Sequence, residues 1–125
     1  MQKLKFYRCL ECGNLIVMVN DSGVNPVCCG QKMSLLEAST VDATVEKHVP
    51  VISKDGHTFN IKVGSIAHPM TPEHYIEWIA ITDGVNMQLR HLKPGEPAEA
   101  IFSLDAEQIT AYAFCNLHGL WQSQS

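Results

Sequence analysis

The chain has 125 residues and a mass of 13.9 kDa, with 46% hydrophobic and 18% charged residues, enough for one modest core and a small satellite. A large multidomain enzyme is excluded, and the formal charge of -4, the pI of about 5.8 and the lack of any basic run argue against a surface that grips nucleic-acid phosphates. No stretch approaches the roughly 18 apolar residues of a membrane span, and the start Met-Gln-Lys-Leu-Lys-Phe-Tyr lacks the apolar segment of a signal peptide. The expectation is a cytoplasmic protein with neither a membrane nor a nucleic acid as partner.

Residues 1–36 hold four of the five cysteines and three glycines, with short apolar runs such as Leu15 to Val19 between them. This pattern predicts short strands joined by tight turns. A unit below about 40 residues rarely stands on an apolar core alone, so a bound metal is the expected brace. Glu37-Ala38-Ser39 reads as a linker, and residues 40–125 as a second domain. From Thr40 to Glu46, Val41, Ala43 and Val45 alternate with polar residues, the pattern of a half-buried strand.

Strand-length segments then recur every eight to twelve residues or so, the rhythm of an all-β sandwich. Val49–Ile52 and Thr58–Val63 flank Asp55-Gly56, a hairpin signal. Tyr75–Thr82 and Asn86–Leu92 follow, separated by Asp83-Gly84. Ala98–Leu104 and Ile109–Phe114 come next, with Leu120-Trp121 as a last short strand and Asp105–Gln108 as the one helical turn. Charge is uneven. Residues 1–36 carry four Lys or Arg against two Asp or Glu, a net of +2, whereas residues 37–125 carry five against eleven, a net of -6.

Five cysteines without an export signal point to metal ligands before disulfides. Cys9-Leu10-Glu11-Cys12-Gly13 has the form of a metal knuckle, its glycine permitting the tight turn, and Cys28-Cys29-Gly30 completes four thiolates. Four thiolates suit zinc or iron, and adjacent Cys28 and Cys29 must both turn inward from consecutive residues. A second, dispersed set consists of His48, His68, His74, Cys115 and His118, soft or borderline donors that form a site only if folding gathers them. His57, after a turn, and His91, beside Arg90, have no partner at ligand spacing and stay outside it.

Taken together, Cys9-x-x-Cys12, Cys28-Cys29, Glu46-Lys47-His48-Val49-Pro50, His68-Pro69-Met70 with Glu73-His74-Tyr75-Ile76, and Cys115-Asn116-Leu117-His118-Gly119 closely resemble desulfoferrodoxin, the two-iron superoxide reductase family. The likeness runs from Cys9 to Gly119, with the five motifs in the family's order. It implies a desulforedoxin-like domain over 1–36 with an iron held by Cys9, Cys12, Cys28 and Cys29. An immunoglobulin-like sandwich over 40–125 would carry a second, ferrous iron, with His48, His68, His74 and His118 in a plane, Cys115 on the axis and the sixth position open to superoxide. Two irons per chain, a homodimer, and rubredoxin or a similar electron donor are implied as well. Lys47 would attract superoxide and orient a water for proton delivery, and Glu46 matches the glutamate that can fill the sixth position after product leaves. If Lys47 reaches the iron, its segment must be irregular, since in a regular strand Glu46 and His48 share a face and Lys47 points away.

Two other readings stand beside superoxide reduction. One is a zinc ribbon fused to a partner-binding sandwich, and the other is a simple electron carrier. Neither has a use for four histidines and a fifth cysteine.

Overall fold

The computed structural model describes residues 4–41 and 47–125, which contain twelve strands and no helix. They group into two compact units, Lys3–Glu37 and Ala38–Ser125. Glu46 and most of the strand expected from Thr40 to Glu46 lie outside the described residues. Thr40 and Val41 join no strand, and Val41 is 79% exposed. Ser39 is bonded to the sandwich: its N–H donates to Leu120 O and its carbonyl accepts from Gln122 N, a parallel bridge opposite Trp121.

In the small unit β1 (Phe6–Arg8) lies between β2 (Leu15–Val17) and β5 (Ser34–Leu35), both antiparallel to it. A second hairpin joins β3 (Val27–Cys28) to β4 (Gln31–Lys32). The apolar run after Leu15 stops pairing at Val17, and Val19 is exposed. Tyr7, Cys9 and Met33 form a buried cluster with Met18 and Cys28 packed against it. Two of those five residues are cysteines, so the apolar filling is slight, and a cross-link through the thiols is the physical alternative to a larger core.

The larger unit is an immunoglobulin-like sandwich of seven strands. One sheet has the order β10-β7-β6 (Glu99–Ser103, Thr58–Val63, Pro50–Asp55) and the other β12-β11-β8-β9 (Gly119–Gln124, Thr110–Cys115, Ile76–Thr82, Met87–His91). The pairings among these seven strands are antiparallel. In β7 and β10 the side chains alternate: Phe59, Ile61, Val63, Ala100 and Phe102 point inward while Thr58, Lys62, Ile101 and Ser103 face out. They meet Ile79, Ile81, Ala111, Ala113 and Cys115 of the opposite sheet. β8 and β11 are central and almost wholly buried, hence their near-continuous apolar runs.

Two local readings change. The β6–β7 turn is Gly56-His57, because Asp55 is already paired with Thr58, and Gly56 alone takes the positive φ, +61°. A two-residue loop with glycine first is the type II′ pattern. Asp105–Gln108 forms no helical turn; Leu104 N donates to His57 O and Ala106 N to Leu104 O, so the link remains extended and tight.

Gly64, after β7, has φ +81°, and a Cβ there would lie 2.3 Å from Lys47 O and 2.6 Å from Ile66 O. The backbone of the Lys47–His48 segment thus seats on a residue that can only be glycine. Its left-handed conformation alone would cost alanine about 1–2 kcal/mol before the clash is relieved. Gly64→Ala is expected to lower the thermal midpoint of the sandwich by about 4–8 °C or more, measured by circular dichroism.

Candidate metal centres

Four sulfurs gather in the small unit, those of Cys9, Cys12, Cys28 and Cys29, all within 4.8 Å of one another and none in a disulfide. The knuckle around Cys9 is closed by Cys9 N donating to Asn14 O at 2.8 Å and Gly13 N donating to Cys9 O at 2.9 Å, with Gly13 at φ +82°. The adjacent pair is accommodated in the backbone: Cys29 has φ +53°, alone among described non-glycine residues in the left-handed region, and Gly30 follows at +73°. Strain of this kind persists where the surroundings enforce it, and here it turns consecutive side chains toward one point. Cys12 Sγ lies 3.6 Å from Cys28 Sγ, and Asn14 Nδ2 donates to Cys28 Sγ at 3.7 Å.

The thiols titrate far apart. The Cys12 backbone N–H, donating to the Cys9 sulfur, pulls Cys9 down to about 7, whereas Cys29 is pushed up to about 12, chiefly because its thiol is hydrogen-bonded to Cys12. Crowded sulfurs resist becoming four anions together, and a cation removes that resistance. This is the behaviour of a tetrathiolate metal site. Because binding must displace thiol protons, the affinity of this cluster for cadmium is expected to fall as pH is lowered from about 8 to about 6, read from the sulfur-to-metal absorption.

In the larger unit every donor comes from a strand end or a connection between strands. His48 lies two residues before β6, His68 and His74 lie in the β7–β8 connection, Cys115 ends β11, and His118 is the last residue of the three-residue loop of the β11–β12 hairpin. Antiparallel pairing puts these ends on one side of the sandwich. Cys115 closes β11 at a bulge: Phe114 pairs with Trp78 but Cys115 with Ile76, skipping Glu77. The sulfur shares the inner face with Ala111 and Ala113 and is fully buried.

The imidazoles form a closed four-sided ring. Adjacent centroids are 4.6 Å apart for His48–His68, 4.7 Å for His68–His74, 5.1 Å for His74–His118 and 4.9 Å for His118–His48. The His48–His74 diagonal is 6.5 Å. Cys115 Sγ lies 3.6 Å from His68 Nε2 and 3.7 Å from His118 Nδ1. The nitrogens of His48, His68 and His74 and this sulfur all fall within 4.8 Å of each other.

The tautomer of His68 follows from its partner. Pro69 O, 2.7 Å from Nδ1, can only accept, so Nδ1 carries the proton and Nε2 turns a lone pair toward the sulfur side. Such an outer hydrogen bond is what orients a metal-binding imidazole. The donor set therefore fits a transition metal taking four imidazoles and one thiolate. His48 and His68 are buried, while His118 reaches solvent.

His57 and His91 are exposed and outside the ring; His57 Nδ1 lies 3.3 Å from Asp105 Oδ1. Lys47 adjoins the ring through His48 in backbone that belongs to no strand, so strict alternation does not govern it. Glu46 lies outside the described residues.

Sequence reasoning missed Trp121. Its indole stacks on His48 with centroids 4.6 Å apart and planes 14° from parallel. In the sequence it is one apolar residue of a terminal strand; only the fold puts it on a histidine 73 positions earlier. Trp121→Ala is expected to lower the sandwich's cobalt(II) affinity and its thermal midpoint together, whereas Trp121→Phe retains most of both, by titration and thermal unfolding.

Comparison with known proteins places this geometry. The Desulfoferrodoxin family matches residues 40–124, and the family described as Desulfoferrodoxin, N-terminal domain, matches residues 1–36. The chain belongs to the desulfoferrodoxin family. It is 46% identical over 120 residues to a desulfoferrodoxin homolog of Archaeoglobus fulgidus, covering 96% of each chain. It is 43% identical over 122 residues to the desulfoferrodoxin of Nitratidesulfovibrio vulgaris, covering 97% of this chain and 96% of that one. Among solved structures, the superoxide reductase from Treponema pallidum superposes with a TM-score of 0.81 at 37% identity, covering 97% of this chain and 98% of the other.

Proposed function

We propose that this desulfoferrodoxin-family protein is a superoxide reductase that converts superoxide to hydrogen peroxide at an iron held by His48, His68, His74, His118 and Cys115. The observation that carries this is the closed ring of four imidazoles with a buried thiol against it, in a chain so similar to a solved superoxide reductase. Superoxide, one electron and two protons balance to hydrogen peroxide. Ferrous iron, when held by these four imidazoles and the thiolate, would supply the electron.

The chain's own residues shape that transfer. Cys115, as thiolate, would donate electron density to a bound iron and favour its oxidised form, making reduction of superoxide easy and oxidation of a second superoxide hard. An outside electron is then needed on every turnover. The sandwich is acidic overall, so Lys47 beside His48 supplies the local positive charge that draws in the anion and orients a water to deliver a proton. Glu46 would serve as a carboxylate ligand to that iron once product has left.

The reading assigns residues 1–36 to a second iron centre held by Cys9, Cys12, Cys28 and Cys29, residues 37–39 to a connection, and residues 40–125 to the reductase domain. Rubredoxin or a similar small carrier is the electron donor, and the chain works as a homodimer in the cytoplasm. Exposed Val19, Val24 and Val27 on the small unit suit burial against a second copy.

Metal analysis with visible spectra tests the reading against the zinc-module alternative. Two irons per chain are expected, with a colour that develops as the histidine site is oxidised; zinc alone, after growth in ample iron, would defeat the proposal. Cys115→Ser is expected to abolish superoxide reduction and spare the four-thiolate centre. Lys47→Met should slow the bimolecular reaction at low ionic strength and flatten its salt dependence, followed by pulse radiolysis.

A further inference from the structure

The residue between the two donors of the β11–β12 hairpin that bears most directly on the ring is Asn116. Its Oδ1 accepts from Tyr75 N at 3.0 Å, its Nδ2 donates to Glu73 O at 3.0 Å, and its own backbone N donates to Tyr75 O at 3.2 Å. Glu73 O and Tyr75 N–H belong to the two peptide groups that flank His74. The other two polar groups of those peptides are also occupied: His74 N donates to Thr71 O at 3.1 Å, and His74 O accepts from Thr71 N at 3.0 Å. All four backbone hydrogen-bonding groups around His74 are therefore held, two by its own turn and two by the side chain next to Cys115 in sequence.

We propose that Asn116 is a positioning residue that locks the His74 turn to the Cys115 hairpin and so sets the spacing between imidazole and thiolate. This rests on the reading of the ring as a metal site. The task needs one acceptor and one donor on a short planar arm, which is what a primary amide offers. Aspartate would keep the bond to Tyr75 and turn a second oxygen onto the Glu73 carbonyl. Alanine would release both peptides. Without the clamp, the turn and the hairpin, over 40 residues apart in sequence, keep the Asn116 N to Tyr75 O bond and the β8–β11 pairing beyond it, but the peptides on either side of His74 lose their hold and His74 no longer arrives pre-set for its metal.

The test uses the full-length, metal-free chain titrated with cobalt(II), taking the absorbance that disappears in Cys115→Ser as the signal of the histidine ring. Asn116→Ala and Asn116→Asp are each expected to weaken that binding by about 10–100-fold, the range typical of groups that orient metal ligands. The cobalt spectrum of the four-thiolate cluster should be unchanged. Asn116→Asp, nearly isosteric, is the variant to rely on if Asn116→Ala folds poorly, and its added negative charge should by itself favour the cation, so a loss of affinity there is the sharper result. Cobalt binding within twofold of the parent in a folded Asn116→Asp, whatever its thermal midpoint, would overturn the proposal. Absence of any Cys115-dependent cobalt signal in the parent would instead remove the metal site, and the clamp's role with it.

Discussion

Antiparallel pairing is the constraint on which this molecule depends. Consecutive strands that run up and down must return to the same side of the sandwich, and the start of β6, the end of β7, the start of β8 and the β11–β12 turn all lie there. Five nitrogen and sulfur donors on those segments are then pressed together whatever their distance along the chain. The core beneath is built from Ile, Phe, Val and Ala, which carry no polar group that could compete for the donors. A rigid apolar scaffold and a polar, metal-suited rim thus divide the work between strand interiors and strand ends.

Several independent devices hold the rim. Alternation along β11 places the Cys115 sulfur on the inner face with Ala111 and Ala113, the Pro69 carbonyl sets the tautomer of His68, and the indole of Trp121 lies flat on His48. Gly64 admits the backbone of Lys47, and Asn116 holds both peptides beside His74. Each acts on a different ligand or its neighbour, so the ring geometry does not rest on any single contact. That is the arrangement expected where a site must exist before its substrate arrives.

The small unit solves a different problem. It has too few apolar residues to fill a core, and its cysteines are part of what little core exists. The left-handed Cys29 is strain that an apolar core this slight does not explain, but that a cation binding four sulfurs would. One chain therefore contains a domain braced by apolar packing with a metal site at its edge, and another in which the metal site and the brace coincide.

The all-β class, the strand rhythm and the nine cysteine and histidine donors were legible in the sequence, because alternation, turn residues and C-x-x-C spacing are local signals. Thr58–Val63 was read to the residue, since alternation there is strict and Gly56 and Gly64 bound it. The Gly56-His57 turn was misread because the β6–β7 pairing runs on to Asp55 and Thr58, and the link at Asp105–Gln108 because Leu104 N is tied to His57 O, 47 positions earlier. By itself the sequence determined which chemistry the chain carries. Only the tertiary structure decided that four histidines form one closed ring, that the sulfur lies against it, and that Trp121, Gly64 and Asn116 hold its members, because contacts between residues more than a dozen positions apart leave no periodicity to read.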